Sequence, residues 1–241
     1  MDQNRTIILT HIPKTAGNTI KSAILVPNGF TQEKTVSVTG ASYWLAARRR
    51  VKQMPAGPLL ITGHGASYGI HRVLGVLPNY VTMIREPVSW VVSFQNFIRQ
   101  FGPSTNHTLC REAHELSLTQ FAQHTQVRNL QSRMLCGVLH HRWFGESRLH
   151  HFARHTGKRA INRLKNDYLS FGVVEKMDES LHLIASAAGI QPPVGQPPRE
   201  NKGRLPSSGL KKSVRKEIKD VLDQDYMLWK WATEQVTAMA E

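Results

Sequence analysis

Residues 6–19 read Thr-Ile-Ile-Leu-Thr-His-Ile-Pro-Lys-Thr-Ala-Gly-Asn-Thr. Ile7-Ile8-Leu9 is a short apolar run of the kind a buried strand carries. It leads into Lys14-Thr15-Ala16-Gly17-Asn18-Thr19, a turn of small residues with one lysine, after which Ile20, Ala23 and Ile24 follow at helical spacing. The stretch therefore predicts a strand over 6–12, a tight turn and a helix over 16–25. Such a junction is an anion site. Free backbone N–H groups point outward, the helix dipole favours negative charge, and Lys14 supplies a full positive charge. Thr15, Asn18 and Thr19 add side-chain donors, so the fragment predicts binding of a phosphate or sulfate ester. It does not fit the Walker A loop, which needs Gly, four residues and then Gly-Lys-Ser/Thr. Here the lysine precedes the glycine, and no glycine lies upstream in the turn.

A second segment, residues 79–98, reads Asn-Tyr-Val-Thr-Met-Ile-Arg-Glu-Pro-Val-Ser-Trp-Val-Val-Ser-Phe-Gln-Asn-Phe-Ile. Tyr80 to Ile84 is a β-rich run, and Pro87 suits the first turn of a helix, where its missing N–H costs nothing. Trp90, Val91, Phe94 and Phe97/Ile98 make an apolar helical stripe. Arg85 falls at the strand end, and Ser93 two turns into the helix on a nearby face. An arginine fork with a hydroxyl suits a phosphate monoester.

The order His11-Ile12-Pro13-Lys14-Thr15-Ala16-Gly17 resembles the 5′-phosphosulfate loop of sulfotransferases that use 3′-phosphoadenosine 5′-phosphosulfate (PAPS). The group it resembles most includes heparan sulfate 2-O-sulfotransferases and their bacterial relatives. Arg85-Glu86-Pro87 with Ser93 resembles that family's site for the 3′-phosphate. The family often carries a second arginine three residues after the proline; here that position is Trp90, which reads as core. Asp167 to Ser180 is similar to the family's late strand, turn and following helix. Asn129-Leu-Gln-Ser-Arg-Met-Leu-Cys-Gly137 is similar to a helical segment of the bacterial members, and Arg199-Glu-Asn-Lys-Gly-Arg204 sits where the family closes over the adenosine phosphate. The resemblance implies a P-loop-NTPase-like sulfotransferase fold and PAPS as co-substrate. It places Lys14, Thr15, Ala16, Gly17, Asn18, Thr19, Arg85, Ser93, Asn201, Lys202 and Arg204 around that molecule. PAPS chemistry requires no metal.

Sulfuryl transfer needs a base for the acceptor hydroxyl, and a histidine near its ordinary pKa suits the task. Of the chain's 12 histidines, His64 follows the apolar run 58–63 and precedes Gly65, so it falls at a strand end, level with the phosphate loops. Gly63-His64-Gly65 resembles the family's His-Gly-His loop, with Thr62 in place of the first histidine, which leaves His64 to act alone. His11 reads as scaffolding for the lysine turn. His140-His141 and His150-His151 with His155 invite a metal reading, but no carboxylate or cysteine accompanies them at a convincing spacing. No metal is expected.

The coarse order of elements is strand 6–12, helix 16–25, a variable segment 26–57, strand 58–63, strand 79–84, a helix from 88 to about 101, a mainly helical region 115–165, strand 168–174, helix 178–189 and a long helix from about 208. Strands separated by helical stretches predict an α/β fold, a mainly parallel sheet covered on both faces. At 241 residues one domain spanning 1–241 is the default. Gln191-Pro-Pro-Val-Gly-Gln-Pro-Pro198 reads as a stiff, linker-like stretch within it. No stretch has the ~20 apolar residues that span a bilayer. The first five residues run almost directly into the first strand, so neither signal peptide nor stalk is expected, and a bacterial cytoplasmic enzyme fits. Cys110 and Cys136 fit reduced thiols.

The balance of 31 Lys+Arg against 17 Asp+Glu gives a formal charge of +14, which favours anionic partners. PAPS is one, and an anionic glycan acceptor would be another. Nucleic acid shares that electrostatic footprint, but no helix-turn-helix, zinc-finger or RNP signature is present, and no specific nucleic acid is expected. The expected activity is sulfuryl transfer from PAPS to an acceptor hydroxyl, with a carbohydrate as the acceptor that the resemblance implies. Two rivals are a P-loop-like kinase and a non-catalytic module that holds an anionic glycan or nucleic acid.

Overall fold

The computed structural model describes residues 5–38, 44–102, 109–137, 155–195 and 209–240. Its strands are β1 (Thr6–Thr10), β2 (Thr35–Ser37), β3 (Leu59–Thr62), β4 (Tyr80–Ile84) and β5 (Tyr168–Val173). They form one parallel sheet in the order β2-β3-β1-β4-β5. Every residue of β3 and β4 is buried, as are the last four of β1. Such continuous burial requires cover on both faces of the sheet, and the fold is the expected α/β class with helices on either side.

Alternation along the strands divides the core in two. Ile8, Ile61, Tyr80, Ile84, Phe171 and Val173 join the larger cluster, while Ile7, Leu9, Leu60, Val81 and Met83 join the smaller one. After β1 the chain enters α1 (Gly17–Ile20), continued by a π-helical turn over Lys21–Leu25. Ile20, Ile24 and Leu25 pack in the smaller cluster. After β4 it enters α4 (Pro87–Ile98), whose Val88, Trp90, Val91, Phe94 and Ile98 pack in the larger cluster. The neighbouring strands β1 and β4 thus send their helices to opposite faces. That divergence opens a crevice at their carboxyl ends, where open α/β sheets bind ligands.

The segment read as variable holds both β2 and α2 (Trp44–Gln53). Beyond β3 comes the short α3 (Ile70–Leu74). The mainly helical region comprises α5 (Cys110–Glu115), α6 (Leu118–Gln123), α7 (Leu130–Cys136) and α8 (Thr156–Asn166). After β5 comes α9 (Met177–Ala188). The expected long terminal helix is two helices, α10 (Lys212–Val221) and α11 (Asp223–Ala240), because Leu222 leaves helical geometry at φ −98 and ψ 36. Of the Pro-rich stretch, Gln191 is fixed to Asn28 by two hydrogen bonds of 2.9 and 3.0 Å, and residues from 196 lie outside the described residues. Among the described residues no helix is long and apolar enough to cross a membrane.

Candidate active site at the carboxyl ends of β3, β1 and β4

The turn after β1 is held open by its own carbonyls. The His11 carbonyl lies 3.2 Å from His64 Nδ1. The Ile12 carbonyl accepts from the Thr15 hydroxyl at 2.9 Å, that of Pro13 from the Trp90 indole N–H at 2.8 Å, and that of Lys14 from the Arg85 guanidinium at 3.1 Å. Four successive acceptors are therefore turned into the protein, and three of the ties come from other elements. Lys14 and Ala16 adopt positive φ, 62° and 60°, on either side of Thr15, which does not. Non-glycine residues held this way cost about 1–3 kcal/mol each, and the alternation of φ sign builds a concave array of N–H donors. The first N–H groups of α1 continue that array, since they have no intrahelical acceptor and Ala16 provides no side-chain cap. Gly17 admits no side chain: a Cβ there would overlap the His11 ring. Thr15 and Thr19 are buried, and Asn18 is exposed at the rim.

Lys14 leans over the Phe97 ring, its ammonium 4.6 Å from the centroid. Burial holds its pKa below the usual lysine range, and the nearby Arg85 charge adds to that. Arg85 is itself largely enclosed, which lowers its pKa, while Glu175 and Glu86 act in the opposite direction. Its Nε is buried with no hydrogen-bond partner among the described residues. A buried charged donor without an acceptor is costly, and an anion seated in the crevice would satisfy it. Ser93 is half-buried one helical turn before Phe97, so it shares the face of α4 that lies beneath Lys14. Glu86 caps that helix, accepting from Ser89 N at 2.7 Å. Trp90 is fully buried against Phe94, as a core residue should be, yet its N–H also anchors the lysine turn.

His64 stands exposed on the loop after β3. Gly63 sets its position, at φ 113 with the Val38 carbonyl where a Cβ would go. The loop is pinned by Gly65 N to Val38 O at 2.7 Å. Beyond it, the buried Tyr80 hydroxyl accepts from Gly69 N and His71 N at 2.9 and 3.2 Å. A carbonyl only accepts, so the bond to His11 places the His64 proton on Nδ1 and leaves Nε2 as an acceptor. The His11 and His64 ring centroids lie 5.2 Å apart. Burial, followed by the charges of His64 and Lys21, pulls the His11 pKa down to about 4, so His11 is neutral near pH 7. Thr62, which stands for the other family histidine, carries a buried hydroxyl with no partner among the described residues.

Three side chains next to the site went unread in the sequence. Gln131 pairs with both main-chain groups of Arg85 at 2.9 Å. Glu175 accepts from Glu86 N at 3.0 Å, and Tyr80 braces the His64 loop. All three act across more than forty residues or from ordinary strand and helix positions, where composition gives no signal. Asn201, Lys202 and Arg204 lie outside the described residues, as do His140, His141, His150 and His151. Among the described residues no group of three or more His, Cys, Asp or Glu side chains could hold a metal ion.

No protein-family model matches the chain, and no curated protein matches it. Among solved structures, it is similar in shape to a mouse sulfotransferase, SULT7A1, complexed with PAP, at a TM-score of 0.44 and 12% identity. The match covers 90% of this chain and 64% of the mouse chain's length.

Proposed function

We propose that the chain is a PAPS-dependent sulfotransferase that moves a sulfuryl group to an acceptor hydroxyl. The observation that carries this reading is the bond from Arg85 to the Lys14 carbonyl, 3.1 Å. It ties a lysine-bearing anion turn to a second, largely enclosed cation whose buried Nε lacks a partner among the described residues. Two cationic sites in one crevice suit a nucleotide with phosphate at both the 5′ and 3′ positions. In this reading the N–H array of 14–19, with Thr15, Asn18 and Thr19, holds the 5′ group, and Arg85 and Ser93 hold the 3′-phosphate. Asn201, Lys202 and Arg204 are assigned to the same nucleotide by the sequence resemblance.

PAPS supplies the sulfuryl group, whose bond to the 5′-phosphate oxygen breaks as the acceptor oxygen bonds to sulfur. His64 Nε2 takes the proton that the hydroxyl loses. Lys14 meets the charge that grows on the departing phosphate oxygen, which is electrostatic stabilisation placed where charge develops. The His11 main chain keeps His64 in its accepting tautomer. A carbohydrate acceptor rests on the sequence resemblance, and the charge of +14 suits an anionic one.

Donor consumption tests the reading. The chain is incubated with PAPS, or with ATP and magnesium, against a panel of sugar, lipid and phenolic hydroxyls. Formation of adenosine 3′,5′-bisphosphate dependent on one acceptor is expected. Consumption of ATP instead would assign a kinase, and salt-sensitive glycan binding without turnover of either donor would assign a binding module.

A further inference from the structure

Helix α11 reaches the Arg85–Glu86 corner by two separate routes. In the first, the fully buried Asp225 carboxylate accepts from Gln131 N at 3.2 Å and Ser132 N at 2.8 Å, closing the first turn of α7. Asn129, at φ 51 before that turn, locks the same junction. Its amide donates to Asp223 at 3.2 Å and its oxygen accepts from Asp225 N at 3.2 Å. Gln131, held at that end of α7, spends its side chain on Arg85: Oε1 accepts the Arg85 N–H and Nε2 donates to the Arg85 carbonyl, both at 2.9 Å. The β4–β5 ladder has ended one residue earlier, at Ile84 and Val173. The Gln131 amide thus takes the place of a neighbouring strand for the residue that carries the guanidinium.

The second route runs through Glu175. Its Oε2 accepts from the Trp229 indole at 3.1 Å and its Oε1 from Glu86 N at 3.0 Å. Two consecutive residues, one bearing the candidate phosphate contact and one capping α4, are therefore each gripped through the main chain by a side chain that α11 holds in turn.

We propose that α11 is a positioning element for the 3′-phosphate contact, with Gln131 and Glu175 as positioning residues and Asp225 and Trp229 as the groups that hold them. The inference rests on reading Arg85 as that contact. A guanidinium recognises phosphate through a rigid fork, and displacement of its main chain moves both prongs together. The grip should therefore act on discrimination for the 3′-phosphate, leaving the hold on the 5′ group to the separate turn after β1.

The test compares, by calorimetry on the full chain, the affinities for adenosine 3′,5′-bisphosphate and adenosine 5′-phosphate, with thermal melts as the control for folding. Trp229→Phe keeps an aromatic ring beside Tyr226 and removes the indole N–H together with part of the ring system. Gln131→Leu removes both bonds to Arg85. Trp229→Phe is expected to melt near the wild type and to keep its affinity for adenosine 5′-phosphate. Its preference for the bisphosphate should fall by about three- to tenfold, the scale of one hydrogen bond. In an Arg85→Ala background the same substitution should change the preference no further. Should Gln131→Leu fail to fold, Trp229→Phe decides alone. A folded Trp229→Phe with the full wild-type preference would overturn the inference while leaving Arg85 as the contact. A wild type that does not prefer the bisphosphate would overturn the reading of Arg85, and the inference with it.

Discussion

Lys14 and Arg85 carry like charges into one crevice, and burial depresses the pKa of both. They should nevertheless fail differently when removed. Arg85 would hold a phosphate that does not react, so Arg85→Ala should weaken nucleotide binding by about ten- to a hundredfold and recover at saturating PAPS. Lys14 would meet charge that grows during transfer, so Lys14→Ala should lower kcat as well as affinity. Kinetics over a PAPS series separate the two, and full recovery of Lys14→Ala at high PAPS would reduce the lysine to a binding residue. His64→Asn supplies an amide that can still donate to the His11 carbonyl but cannot take a proton near neutral pH. Its turnover should drop by on the order of a hundredfold with nucleotide affinity kept. A normal rate and pH profile in that variant would place the base elsewhere. His11 offers a stability test. Its folded pKa, about 4, lies below the ordinary histidine value of about 6.5, so the unfolded chain binds the proton first as pH falls. The contribution is complete above about pH 6.5 and is lost progressively toward pH 4, amounting to at most roughly 3 kcal/mol. In denaturant titrations the wild type should therefore lose stability relative to His11→Gln as pH falls through that window; a difference that does not change with pH would contradict the shift.

Among the elements, α4 links core and site, since Trp90 packs in the larger cluster while its N–H holds Pro13. Trp90→Phe should cost about 1 kcal/mol for the lost bond, with a further cost for the cavity that the smaller ring leaves in the core, and loosen the lysine turn, read as a rise in Kd for adenosine 3′,5′-bisphosphate. Unchanged affinity would show that the turn keeps its shape without that tie. The elements easiest to read from the sequence were those whose two faces are both buried: 7–9, 59–62 and 80–84 are apolar runs because helices cover each side of the sheet. β2 was illegible because it is three residues long, Thr35–Ser37, with only Val36 buried. The break at Leu222 was illegible because an apolar residue there fits the spacing of either neighbouring helix. At the candidate site, the turn that carries Lys14 and Gly17 and the strand end that carries Arg85 could be read because each lies at a local strand-to-helix junction. Gln131 and Glu175 were not, since their partners lie 46 and 89 residues away and each is an ordinary polar residue until the fold joins them.

At the scale of the molecule, a charge of +14 should draw a polyanionic nucleotide by long-range attraction, so its association rate should fall as salt rises past the range where the Debye length nears 10 Å. That field does not distinguish one nucleotide from another; on the proposed reading, the two cationic sites at the ends of β1 and β4 would. The most direct measurement is calorimetric titration of the unaltered chain with adenosine 3′,5′-bisphosphate and with adenosine 5′-phosphate at one salt concentration. A charge-assisted contact worth about 1.5–3 kcal/mol predicts that the bisphosphate binds tighter by about one to two decades. Equal affinity for the two would contradict the account.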